Sequence, residues 1–183
     1  MTAKLDSNRA ALVVIDVQEG FRKAIPEFEA IAAAIATMVR GAELIGIPII
    51  VTEQYPKGLG ATVPEVAEHL PEGTSRLPKT VFSAAAADGF DLGGREQAIV
   101  CGIETHVCVN QTVLDLLAAG TEVHVVADAV GSRSAANREL GLAKAERAGA
   151  WWTSVETALF ELLGEAGGDR FKAVQKLVLE LAP

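Results

Sequence analysis

Apolar positions along this chain fall into two alternating textures. Short runs rich in Val and Ile carry no polar interruption, and longer stretches repeat their apolar residues every three or four positions. The first texture marks strands at Ala11 to Asp16, Ile47 to Thr52, Gln97 to Gly102, Thr121 to Ala127 and Trp151 to Thr153, with Leu77 to Phe82 extended. The second marks helices at Phe28 to Ile45, Val107 to Ala119, Ala135 to Ala148, Val155 to Leu163 and Phe171 to Leu181. A short helix is expected around Glu65 to His69, after a Gly- and Pro-rich loop from Gln54 to Pro64. Gly46 suits the C-terminal cap of the first long helix and Pro48 stops it. Asp88 to Gly94 reads as a turn between elements.

Strand followed by helix, with strands apolar throughout, predicts a parallel sheet covered on both faces. Right-handed crossovers make it a three-layer α/β/α sandwich of six mainly parallel strands. In such a sheet, ligands bind beyond the C-terminal strand ends, where the strand order reverses. Three reactive side chains are expected at such ends: Asp16, Lys79 and Cys108.

Each has two readings. Asp16 closes the run Leu12 to Ile15, where a carboxylate loses solvation; it either takes part in chemistry or caps the loop Gln18 to Phe21. Cys108 lies between a buried strand and a helix. The positive end of that helix favours thiolate, but a lone Cys is also a common small hydrophobe. Lys79 either holds a neighbouring carboxylate ionised or snorkels off a strand edge. Cys101, inside its strand, reads as packing.

Composition narrows the partners. The chain has 183 residues, 50% hydrophobic, with a formal net charge of −8. That size suits one domain spanning 1–183, with residues 1–8 flexible. The acidic balance argues against nucleic acid and anionic membranes, because no basic field meets the phosphates. No apolar run reaches the roughly 18 residues of a membrane helix. Two cysteines give no disulfide framework, and the start lacks a signal-peptide centre, so a cytoplasmic setting is expected. His69, His106 and His124 are scattered, with no His-x-His or Cys-x-x-Cys spacing, so no metal and no cofactor are expected. Gly-x-Ser-x-Gly, Gly-x-Gly-x-x-Gly and a Walker loop are absent.

Together, Ala11 to Gln18, Lys79 to Ala84, Gly102 to Val109 and Asp128 to Ser134 resemble, in order, the segments of the isochorismatase-like cysteine hydrolase family. Thr52 to Gly58 and the tail Val155 to Leu179 look most like its isochorismatase domain-containing branch. The resemblance implies strand order 3-2-1-4-5-6 and a triad of Asp16, Lys79 and Cys108. It also implies a cis peptide at Ile103–Glu104 and an oxyanion hole of the Glu104 and Cys108 N–H groups. Nicotinamidases of the family carry Asp-x-His zinc ligands where this chain has Glu53-Gln54-Tyr55, and true isochorismatases use no cysteine nucleophile.

The expected activity is therefore metal-free cysteine hydrolysis of a small amide or related C–N bond. The rivals are vinyl-ether cleavage with Asp16 as acid, and a binding or scaffold protein without turnover. The pocket is expected to draw on Gln18, Phe21, Tyr55, Phe82, Glu104 and Val107, with Lys79 the main positive charge, which favours a small, neutral or weakly polar substrate. Trp151, Trp152 and the terminal helix carry surplus apolar surface, so a homo-oligomer, dimer or tetramer, is expected.

Overall fold

The computed structural model describes residues 4–181. It runs β1 (Ala10–Ile15), α1 (Phe28–Ile45), β2 (Ile49–Gln54), α2 (Pro56–Leu59), α3 (Pro64–Ala67), β3 (Arg76–Lys79) and β4 (Gln97–Ile103). A wide π-type turn at Thr105–Val109 leads into α4 (Asn110–Ala118). β5 (Glu122–Gly131), α5 (Ala135–Ala148), β6 (Trp151–Thr153), α6 (Val155–Leu163) and α7 (Gly168–Leu181) follow.

All pairings are parallel, in the order β3-β2-β1-β4-β5-β6. The uninterrupted apolar runs have a direct cause. Along β1, Leu12 and Val14 face a layer built on α1, α6 and α7, while Ala11, Val13 and Ile15 face α4 and α5. Alternate side chains thus enter different cores, and neither face tolerates a polar residue. The order reverses between β1 and β4, so their C-terminal ends part and leave a crevice.

β2 starts two residues later than its hydropathy predicts, because Pro48 belongs to the turn, where its carbonyl accepts from the Leu12 N–H. β5 runs past Ala127 to Gly131. Its pairing with β4 slips between Val100 and Gly102 and then resumes at Gly102↔Val130 and Ile103↔Gly131. Asp128 tolerates the strand because its carboxylate accepts from the Val155 N–H at the start of α6. Of residues 1–8, expected to be flexible, the structure describes Lys4 to Asn8. Leu5 is buried, and the Gln97 side chain holds the Lys4 carbonyl and the Asp6 N–H; Met1 to Ala3 lie outside the described residues. Among the described residues no helix is long and apolar enough to cross a membrane.

Gly102 marks the tightest strand contact beside the crevice. Its φ is +125°, and an added Cβ would lie 2.1 Å from the Ile15 carbonyl oxygen. Only glycine fits both the conformation and the approach. Gly102→Ala is expected to cost on the order of 3 kcal/mol in unfolding free energy, from strain plus overpacking. Urea denaturation checks this, and a wild-type midpoint would contradict it.

Candidate active site

β1, β2 and β3 lie side by side, so their last residues converge. The register sets Ile15 against Thr52 and Gln54 against Lys79. Asp16 follows β1 in a left-handed turn (φ +54°), fully buried. Its Oδ2 accepts from Lys79 Nζ at 2.7 Å and its Oδ1 from Thr52 Oγ1 at 2.7 Å. Lys79 Nζ also donates to Gln54 Oε1 at 2.7 Å and to the Phe82 carbonyl at 2.8 Å. The ammonium, buried by its strand and the chain after it, is therefore well satisfied, as a buried charge must be.

Cys108 arrives from the other side of the switch point, in the wide turn after β4. It is 4% exposed. Asp16, Lys79 and Cys108 are thus brought together, and both charged groups act on the thiol. Burial pushes the thiol up to about 12, with the Asp16 charge adding to it and Lys79 opposing. Burial and the Asp16 carboxylate oppose the expected pull of the helix end towards thiolate. Burial likewise raises the Asp16 carboxyl, against the pull of Lys79, Thr52 and the thiol. Cys101 is fully buried, its Sγ against the Val13 carbonyl, and its thiol is raised further by burial.

The thiol lines a cleft of about 320 Å³ whose walls include Phe21, Phe82, Glu104 and Val107. Two expected lining residues are elsewhere. Gln18 is wholly buried: its Nε2 donates to the Gln54 and Gly60 carbonyls and its Oε1 accepts from the Gln54 N–H, which staples the α2 loop to β2. Tyr55 stands outside the cleft, half-exposed, its ring against Gly58. The backbone is left-handed at Asp16 (φ +54°) and at Tyr55 (φ +38°).

Sequence reasoning missed Thr52, Gln54 and Arg133. The first two share one face of β2 by strand alternation, a signal available beforehand. Arg133 reaches the cleft because β5 is longer than its apolar run. Its backbone N–H and Nε both donate to Glu104 Oε2, at 3.0 and 3.1 Å, so Lys79 is not the site's lone positive charge. The Ile103–Glu104 peptide is cis. Glu53, between the two site residues of β2, points elsewhere and closes the loop through Thr62 N and Oγ1, both at 2.7 Å. Among the described residues no cluster of three or more His, Cys, Asp or Glu forms.

The raised thiol has a sign consequence. The unfolded thiol ionises near 9.0 and the folded one near 12. Above the first value the unfolded state has lost a proton that the native state keeps, so stability falls as pH rises between the two. Relative to Cys108→Ala, the wild type is expected to lose about 1 kcal/mol of stability by pH 10. Parallel chemical denaturation at pH 8 and pH 10 checks this, and identical slopes for the two proteins would refute it.

Comparison with known proteins agrees with this geometry. Residues 10–157 match the isochorismatase domain. Isochorismatase domain-containing protein 2 of Macaca fascicularis is 43% identical over 175 residues, 94% of this chain and 84% of that protein. The structure of MAR1 ribonuclease from Caenorhabditis elegans superposes with a TM-score of 0.92 at 42% identity, covering 98% of this chain and 94% of that one. YcaC from Pseudomonas aeruginosa, with hexane-2,5-diol and covalent acrylamide, gives 0.87 at 26% identity, covering 98% and 94%. A chain with this strand order, this crevice and these matches belongs to the isochorismatase domain family of hydrolases.

Proposed function

We propose that the protein hydrolyses a small amide or related C–N bond through Cys108, Asp16 and Lys79. The observation that carries this reading is a buried carboxylate shared between an ammonium at 2.7 Å and a thiol that opens on a cleft. The proposed cycle starts from the Lys79–Asp16 ion pair and a neutral thiol. Moving the thiol proton to Asp16 transfers the negative charge to sulfur without changing the cluster's total, and Lys79 then faces the thiolate. The raised Asp16 makes a stronger base than a solvated carboxylate, which narrows the gap to the thiol.

The thiolate attacks the carbonyl carbon, and the oxyanion rests on the Glu104 and Cys108 N–H groups. The C–N bond breaks as Asp16 returns the proton to the leaving amine. Asp16 then takes a proton from water, whose hydroxide attacks the thioester, and the thiol leaves with that proton. Covalent acrylamide in Pseudomonas aeruginosa YcaC, an amide attached to a protein of the same fold, is in keeping with a nucleophile in this family. A net charge of −8 and a cleft of about 320 Å³ favour a small molecule over a polynucleotide.

Raised Asp16 also supports a second reading, protonation of a vinyl ether by Asp16 as acid. The two separate cleanly. For amide hydrolysis, Cys108→Ala is expected to lower ammonia release from a panel of small amides at least about 1,000-fold, with the melting curve retained. Retained turnover in Cys108→Ala with loss in Asp16→Asn would establish the acid reading instead. Self-association is part of the same proposal. Trp151 and Trp152 stand about half-exposed on β6, the sheet's edge strand, and Leu179 of α7 is exposed. Sedimentation at micromolar concentration is expected to show a dimer or larger, and a monomer would overturn it.

A further inference from the structure

The cleft has a second polar feature that the proposed chemistry does not use. Six of its lining residues, Gly20, Phe21, Ala24, Leu59, Phe82 and Val107, offer no polar side-chain atom. Gln54 is occupied, since its Oε1 accepts from Lys79 and its Nε2 donates to the Thr80 carbonyl. Besides the thiol, polar side-chain capacity therefore belongs to Glu104 and Arg133. Glu104 is 6% exposed, yet among the described residues every hydrogen bond to its carboxylate falls on Oε2. Its Oε1 has no protein partner among the described residues and keeps solvent contact in the wall of the cleft. The Arg133 guanidinium is bonded to Glu104 through Nε, and its side chain is 61% exposed. Its outer N–H groups have no protein partner among the described residues.

We propose that Glu104 and Arg133 form a substrate-reading clamp, with Glu104 Oε1 as acceptor and the outer Arg133 N–H groups as donors. An acceptor and a donor set side by side match a group that offers N–H and C=O side by side. That group is a second, non-reacting carboxamide or ureide unit on a small substrate. The clamp is itself an ion pair, so it reads a neutral group without leaving a net charge, whereas a carboxylate on the outer Arg133 N–H groups would sit against the Glu104 charge. The backbone N–H of Arg133 holds Oε2 as well, which fixes the acceptor independently of the guanidinium. A ligand that fills the cleft without pairing Oε1 shuts off its water, which disfavours the wrong ligand.

This inference rests on the amide-hydrolase reading for its substrate class, and its test separates the two. Binding is measured by calorimetry on Cys108→Ala with malonamide, with butyramide lacking the second amide, and with malonamate carrying a carboxylate in its place. Malonamide is expected to bind roughly ten- to hundred-fold more tightly than either. Glu104→Met and Arg133→Met, each added to Cys108→Ala, are expected to weaken malonamide binding at least about ten-fold and to narrow its preference over butyramide to less than about three-fold. Arg133 is exposed, so its variant decides the matter if Glu104→Met fails to fold. Equal binding of butyramide, or no binding of malonamide, overturns the clamp. So does preference for malonamate that depends on Arg133 alone, because it identifies an anion site. If wild-type protein releases no ammonia from malonamide while the binding order stands, the clamp holds and the hydrolase reading falls.

Discussion

The contact between Lys79 and Asp16 constrains everything around it. Two opposite charges, each with a wholly buried side chain, can coexist there only if their remaining hydrogen-bonding capacity is filled. Thr52, Gln54 and the Phe82 carbonyl fill it, and they come from β2 and the segment after β3. Removing either charge would leave the other unpaired in a dry site, which typically costs 3–5 kcal/mol, on the order of a large part of a domain's net stability. The strand order β3-β2-β1 is thus a physical requirement of the site, since only adjacent parallel strands bring these ends into one plane.

The same crevice sorts its polar residues by strand parity. On β2, Thr52 and Gln54 serve the ion pair, while Glu53 between them ties down the loop through Thr62. On the far side of the switch point, β4 and the extended β5 deliver Cys108, Glu104 and Arg133. The site therefore contains two ion pairs, one buried against the thiol and one at the cleft wall, and the pairs sum to zero charge within a strongly acidic protein.

Much of this was legible in the sequence, for reasons that can be named. Runs such as Leu12 to Ile15 and Ala98 to Cys101 are apolar at every position because both faces of their strands are buried, so element type and layer order followed directly. Asp16, Lys79 and Cys108 were found because strand ends are where polar residues first become tolerable. Hydropathy gives no dihedral angles, however. Gln18 and Tyr55 lie as near to strand ends as the wall residues, yet backbone groups of Gln54 and Gly60 draw Gln18 inward and Tyr55 lies against Gly58. Nor does hydropathy foresee Asp128 continuing a strand, because the helix N-terminus that accommodates it is 27 residues away in sequence. Arg133 was lost with that extension.

Burial of the Cys108 thiol beside a carboxylate also bears on chemical durability. With ionisation pushed up by burial and by the Asp16 charge, the resting thiol is held in its neutral form. Peroxides and stray electrophiles react with the thiolate, so a resting molecule offers them almost nothing to attack. Cys101 offers them less still, sealed inside its strand. Reactivity then resides in the encounter with a fitting ligand rather than in the free protein, and the arrangement protects the chain's sulfur during the long intervals between encounters.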